Sequence, residues 1–300
     1  LIRAQASVAA GQFAVPEGRV APRRLRRLGV EVIEAIFHFE TKQGRCAGVL
    51  RLRADAPDRA WVLLTSLEEL KGFEEKTGKR RPSGEAYSRN FGGDNWLDQR
   101  NKAQSYAGHE PTVLVIGGGQ AGLAIAARLG QLGLDTLVVE KHERIGDNWR
   151  KRYHSLALHN QVHVNHLPYM HFPPTWPKYI PKDMLANWLE HYAWALEINV
   201  WTSTEFLGGD YEAATGHWQA RIRKADGTER VLHPRHIIFA NGVSGIPKVP
   251  QLPGLENFAG DVIHSHGFSS GAAWRGKKAL VLGTGNSGHD VAQDLHSHDV

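Results

Sequence analysis

Two glycine-rich turns hold the residues whose types and spacing could do chemistry. In the first, Gly117, Gly119 and Gly122 stand in the order GxGxxG, with Gln120 and Ala121 before the last glycine. That spacing suits a turn that receives a pyrophosphate. The first glycine bends the chain out of a strand, the second lets backbone approach the phosphates, and the third lets a helix pack closely on the sheet. The helix N-terminus adds free N–H groups and a favourable dipole. Glu140 lies 18 residues after Gly122, where a carboxylate accepts hydrogen bonds from ribose hydroxyls and repels a 2′-phosphate. The second turn carries Gly283, Gly285, Asn286, Ser287 and Gly288 and begins 166 residues after the first. Two such turns imply two dinucleotides and electron transfer between them, with nicotinamide and flavin the usual pair.

The surrounding elements must position these turns. Thr112 to Ile116 is a short apolar run bounded by proline and glycine, which predicts a buried parallel strand. Ala121 to Leu132 follows with leucine and alanine at helical spacing, and Thr136 to Glu140 reads as a second strand, completing a βαβ unit. Pro181 opens a predicted helix that runs through Trp194. Strands at Trp218–Ile222 and Arg230–Leu232 flank Asp226-Gly227, a strong hairpin signal. His236 to Ala240 is a further strand, and Ala279 to Leu282 a strand ahead of the second turn. Before all of these, Glu31–Phe39, Gly48–Leu52 and Trp61–Thr65 read as an antiparallel sheet. Residues 76–110 are rich in Gly, Ser, Asn, Lys and Arg and read as a linker. The tetrapeptide Gly-Asp-Asn-Trp occurs at both 93–96 and 146–149.

Composition narrows the function classes. The 300 residues are 41% hydrophobic and 22% charged, as in ordinary globular proteins. The single cysteine, Cys46, excludes a disulfide framework and a CxxC redox pair within this sequence and fits a reducing cytoplasm. No apolar run reaches the roughly 20 residues of a membrane helix, so no membrane partner is expected. Leu1 to Gln5 do not resemble a signal peptide, and the absence of an initiator methionine, together with a stop at Val300 where the second strand of the second unit should start, suggests a sequence truncated at both ends. Net charge is +5, with basic runs at 23–27 and 79–81. Short runs without interleaved aromatics read as a solvated face or flexible linker rather than a nucleic-acid groove. His159, His163 and His166 raise a metal reading, but Pro168 and the missing carboxylate count against it, so no metal is expected.

Between the turns the sequence resembles the flavin-containing monooxygenase family (class B flavoprotein monooxygenases), and most of all its YUCCA-type and microbial members. The resemblance covers 111–300. Gly146-Asp147-Asn148-Trp149-Arg150 is similar to the family's segment whose tryptophan lies near the flavin. Tyr153 to Pro173 resembles the stretch that passes the isoalloxazine ring. Phe258, Gly260, His264 and Phe268 match the family fingerprint FxGxxxHxxx(Y/F/W). Phe239-Ala240-Asn241-Gly242 resembles the crossing between the two cofactor domains, with Asn in place of the usual Thr.

The resemblance implies an α/β fold. It would comprise a Rossmann-like FAD-binding domain with a β-meander insertion at 111–258 and the start of a second, NADPH-binding Rossmann-like domain at 259–300. Residues 1–75 weakly resemble part of an NTF2-like α+β domain. The implied activity is an NADPH-using monooxygenase that acts on O2 and a small-molecule substrate through a C4a-(hydro)peroxyflavin. FAD would be held by Gly117, Gly119, Gln120, Ala121, Gly122, Glu140 and Trp149, and NADPH by Gly283, Gly285, Asn286, Ser287 and Gly288. His159 and Asn160 are the candidates for contact with the flavin edge, and His264 for shaping the site between domains. Mammalian-type members place Asn where His159 stands, and Baeyer–Villiger members usually end the fingerprint in Trp where this sequence has Phe268. An NADPH–flavin oxidoreductase without oxygen transfer and a non-catalytic FAD-binding fragment are the alternatives. Substrate and oligomeric state are not legible.

Overall fold

The computed structural model describes residues 8–83, 91–243 and 245–300. The chain divides into two compact units, Leu1–Pro82 and Ser83–Val300. Leu1 to Gln5, and part of the stretch read as a linker, lie outside the described residues.

The first unit is an antiparallel sheet of β1 (Gly11–Ala14), β2 (Arg23–Arg27), β3 (Val30–Glu40), β4 (Gly44–Arg53) and β5 (Ala56–Leu70). The three expected strands fall inside β3, β4 and β5 and are extended by their ladders. The basic run 23–27 is not a linker: it is β2, whose arginines are exposed as a solvated face would be, and it pairs residue for residue with β3. The reason is electrostatic. Glu34, buried in β3, sits opposite both Arg23 and Arg51. It accepts from Arg51 Nε at 2.7 Å, Arg27 Nη2 at 3.2 Å and Arg23 Nη2 at 3.4 Å. Three guanidiniums around one carboxylate turn a positively charged segment into a strand partner. Between Gly11 and Pro82 the described elements are strands and a 3-10 turn at Gly78–Arg80, so the helical part of the expected NTF2-like α+β segment is not among them.

The second unit begins with a correction. The expected linker contains helix α1 (Trp96–Ser105), set by a capping box in which Asn95 accepts from the Asp98 N–H and Asp98 accepts from the Asn95 N–H. Its composition is polar, which disguised it, yet its side chains are tied down. Trp96 Nε1 donates to Glu197 at 2.7 Å and Arg100 to Asn199 at 2.8 Å, while the Gln104 carbonyl accepts from Trp201 Nε1 at 2.7 Å.

A four-stranded parallel sheet follows. It is built from β6 (Val113–Ile116), β7 (Thr136–Val139), β8 (Asn199–Trp201) and β12 (His236–Phe239), in the order β12-β6-β7-β8. Helix α2 (Gln120–Gln131) joins β6 to β7, the short α3 (Asp147–Arg150) follows β7, and α4 (Lys182–Ala195) precedes β8. Strands β9 (Glu205–Glu212), β10 (His217–Arg223) and β11 (Glu229–Leu232) form an antiparallel meander, with Asp226 accepting from the Thr228 N–H at the hairpin turn. Strand alternation sorts the core into two layers. Val113, Val115 and Val138 face α2 and α4 through Leu123, Ala126, Ala127 and Leu189. Leu114, Ile116, Leu137 and Val139 face the meander through Ala220, Ile222 and Leu232. Helix α5 (Asn286–His296) packs Val291 and Leu295 on Tyr153, Leu156 and Phe268.

The strand expected at 279–282 does not form as a ladder. No described strand runs beside it, and Leu280 and Leu282 stand exposed.

The clasp at Glu34 has a definite pH signature. The Arg51 hydrogen bond is the largest influence holding its carboxyl below the usual 4.5, with Arg23 and Arg27 adding to it against the opposing effect of burial. A carboxyl lowered on folding contributes stability above its unfolded pKa and loses it as pH falls toward the folded value. Glu34→Gln should therefore cost about 1–3 kcal/mol at neutral pH, with the difference from wild type shrinking below pH ~4. Hydrogen exchange of β3 amides across pH reads this out; a pH-independent difference would rule the clasp out as its source.

Candidate dinucleotide sites

The first glycine turn sits at the carboxyl end of the parallel sheet, between β6 and α2, where ligands of open α/β sheets bind. Its shape excludes side chains at Gly117 and Gly122. Gly117 has φ +108°, and a Cβ there would stand 2.7 Å from the carbonyl oxygen of Ala240 in the crossing after β12. A Cβ on Gly122 would lie 1.9 Å from the Gly117 carbonyl oxygen. Gly119 caps α2 without offering a side-chain oxygen, so the first N–H groups of that helix remain directed at whatever occupies the turn.

Glu140, buried just past β7, is oriented by the turn itself. Its Oε2 accepts from the Gly118 N–H at 2.7 Å and its Oε1 from the His142 N–H at 2.9 Å. Each carboxylate oxygen keeps a lone pair for a further donor. Trp149 donates from Nε1 to Gln120 Oε1 at 3.2 Å, which places its indole against the first residue of α2. Gly146 lets the chain bearing that indole approach α4, since a Cβ there would meet the Ala186 carbonyl oxygen at 2.4 Å. Arg150 then ties α3 to α4 through Asn187 at 3.1 Å and Glu190 at 2.9 Å.

The second turn repeats the first in outline. Gly283 has φ +124°, a Cβ on Gly288 would stand 2.8 Å from the Gly283 carbonyl oxygen, and Gly285 caps α5 without a side-chain acceptor. Asn286 and Ser287 form the first turn of that helix.

The remaining expected residues scatter. The His159 imidazole faces Asp290, with Nε2 3.6 Å from Oδ2, and Asn160 is exposed with its carbonyl taken by Asn165 Nδ2 at 3.2 Å. In the fingerprint, the exposed Phe258 ring covers Gly260, whose Cβ would meet it at 2.6 Å, and His264 Nδ1 accepts from the His266 N–H at 3.1 Å. Phe268 is buried, 6.5 Å from the Tyr153 ring, and anchors the segment to α5. His163 and His166 do not join His159: His166 Nδ1 accepts from the Phe172 N–H at 3.0 Å, and burial lowers its pKa. Among the described residues no three His, Cys, Asp or Glu side chains converge as a metal site would require. Nor is any described helix long and apolar enough to cross a membrane.

Sequence reasoning missed Asp290. Tyr153 donates to its Oδ2 at 2.6 Å, and together burial and that carboxylate push the phenol up to about 12. The only signal was an acidic residue two positions after Gly288, which the glycine pattern does not demand.

The second unit is thus an α/β fold with two glycine-rich turns of the same outline, each opening a helix. Residues 114–300 match the family described as pyridine nucleotide-disulphide oxidoreductase, and the chain belongs to that family. The indole-3-pyruvate monooxygenase YUCCA1 of Oryza sativa subsp. japonica is 37% identical over 189 residues, which cover 63% of this chain and 46% of that protein. The probable indole-3-pyruvate monooxygenase YUCCA4 of Arabidopsis thaliana is 34% identical, over 62% of this chain and 44% of its own length. A flavin-containing monooxygenase from Stenotrophomonas maltophilia shares the fold at TM-score 0.56 and 26% identity, over 63% of this chain and 55% of that one. The chain thus spans about half the length of these relatives. They bear out the flavin monooxygenase likeness and the Rossmann-like fold.

A substitution pair tests the packing of the first turn. Gly122→Ala should destabilise by on the order of 1–3 kcal/mol through overpacking. Gly130→Ala, in the same helix with open space around it, should be neutral or stabilise by up to about 1 kcal/mol. Urea denaturation distinguishes them, and equal effects would refute the close-approach account.

Proposed function

We propose that this chain carries the FAD site and the NADPH site of a flavin-dependent monooxygenase, which places one oxygen atom from O2 in a small organic substrate. The observation that carries the reading is the first cradle: two glycines that exclude side chains, an uncapped helix N-terminus, and Glu140 fixed beside them. Gly117, Gly119, Gln120, Ala121 and Gly122 would receive the pyrophosphate of FAD through backbone N–H groups. Glu140 would accept from the adenosine ribose, and its charge disfavours a 2′-phosphate there. Trp149 would wall the site. Gly283, Gly285, Asn286, Ser287 and Gly288 would hold NADPH in the same way, dividing the second unit into an FAD part at 111–258 and an NADPH part at 259–300.

Bound FAD would carry electrons from the nicotinamide to O2, while the protein supplies orientation and a water-poor setting. The names of the relatives make indole-3-pyruvate the first substrate to offer. Disulfide reduction, which the family's name also covers, is not supported by the single cysteine, Cys46, which is buried in β4 of the other unit. We place the protein in the cytoplasm on the same single-thiol composition.

The purified chain should show a flavin absorption spectrum that bleaches on anaerobic addition of NADPH and recovers with air. Oxygenated product formed with indole-3-pyruvate would establish the transfer step. Bleaching without product would favour the plain oxidoreductase, and flavin that NADPH never bleaches would favour the non-catalytic fragment. Folded protein without flavin would remove the reading altogether.

A further inference from the structure

One polar cluster is untouched by the reading above, although it lies between the two turns. Asp290 stands in the first turns of α5, the helix that the second glycine turn opens. Its Oδ2 accepts from the Tyr153 hydroxyl at 2.6 Å and faces His159 Nε2 at 3.6 Å. Tyr153 is buried, and its phenol, held protonated to about pH 12 by burial and by Asp290, is a donor throughout the working range. Both partners belong to the segment leaving the first site. Trp149, four residues before Tyr153, donates to Gln120 at the head of α2 and also packs on the cluster that contains Val291 and Leu295 of α5. A continuous path of contacts therefore runs from Gln120 through Trp149 and Tyr153 to Asp290.

Two kinds of contact hold the helix that the second turn opens. Apolar contact by Val291 and Leu295 gives α5 a seat but leaves it free to slide along its axis, because such packing is weakly directional. Hydrogen bonds of defined length remove that freedom. The Gly271 N–H to Asp294 Oδ2 bond, at 2.6 Å, pins the helix toward its C-terminal end. The Tyr153–Asp290 bond pins it near the end that faces the dinucleotide.

We propose that Asp290 is a positioning residue for the second dinucleotide: through its hydrogen bond from Tyr153 it fixes the N-terminus of α5 against the segment that leaves the first site. It touches no cofactor in this scheme. Its effect is on where the N–H groups of the second turn point, and it rests on the reading of that turn as the NADPH site. Loss of the fixture weakens the second dinucleotide and spares the first, because Glu140 and the Gly117 turn hold each other independently of α5.

The test is a double-mutant cycle on the whole chain with NADP+ as the probe, using Asp290→Ala, Tyr153→Phe and their combination. Each single variant should weaken NADP+ binding by about tenfold, and the double variant by clearly less than the product of the two, since both remove the Tyr153–Asp290 bond while Asp290 also faces His159 and Tyr153 also meets Ser287. Flavin content should stay at the wild-type level. Asp290→Asn, whose amide oxygen still accepts from Tyr153, should recover most of the affinity that Asp290→Ala loses. Unchanged NADP+ affinity in the single variants, or additive losses in the double one, would overturn the proposal. A wild-type chain that binds no NADP+ would instead count against the reading of the second turn. The fixture is then judged on hydrogen exchange of the α5 amides, which Asp290→Ala and Tyr153→Phe should both speed; unchanged exchange would overturn it.

Discussion

The carbonyl oxygen of Gly117 occupies the space that a side chain on residue 122 would need, and much of the second unit is arranged around that contact. It lets α2 start immediately over the end of β6, which seats Leu123, Ala126 and Ala127 on Val113, Val115 and Val138. On the other side of the turn, Ala240 comes within 2.7 Å of where a Cβ on Gly117 would be, so the crossing after β12 uses the same vacancy. One backbone turn thus sets the distance of the helix layer from the sheet and the path of the chain leaving it. Glu140 completes the arrangement by accepting from Gly118, which links the ends of β6 and β7 through a buried carboxylate. A group with this many fixed neighbours reorganises little on meeting a ligand, which is the condition for a preorganised site.

The second constraint is the continuity of residues 146–153. Gly146 admits the chain beside α4, Arg150 fastens it there, Trp149 touches the head of α2, and Tyr153 reaches α5. Short segments that bind several elements carry geometry more faithfully than long loops, because few torsions separate their contacts. One part of the resemblance to flavin monooxygenases, Gly146 to Arg150, falls in this segment, beside the fingerprint at 258–268 and the crossing at 239–242.

Legibility followed the range of the forces involved. The βαβ unit, the helix from Pro181 and the hairpin at Asp226-Gly227 were readable because strand period, helix period and turn chemistry are all local. Helix α1 was hidden by its polar composition, although the Asn95–Asp98 capping box was present in the sequence and is itself a local signal. Strand β2 could not be read at all. Five residues of which four are arginine gain a partner only from Glu34 and the β3 ladder, and nothing near 23–27 in sequence announces that. The fingerprint residues were legible as a pattern but not in what they do: Phe268 is a core anchor, and Phe258 lies over Gly260. His159 was expected at a flavin edge and is found facing Asp290, a partner 131 positions away that no spacing rule could supply.

The failure of the expected strand at 279–282 separates two things that the motif usually presents together. At the first turn, strand, glycines and helix all occur, and it is not evident which of them sets the shape. At the second, the ladder is missing, yet Gly283 still has φ +124° and the space at Gly288 is still closed by the Gly283 carbonyl oxygen at 2.8 Å. The fit is looser there than the 1.9 Å at Gly122. The two turns thus share their outline, a positive-φ glycine whose carbonyl oxygen closes the space at the last glycine, and the Tyr153–Asp290 bond ties the helix of the second to the segment that leaves the first.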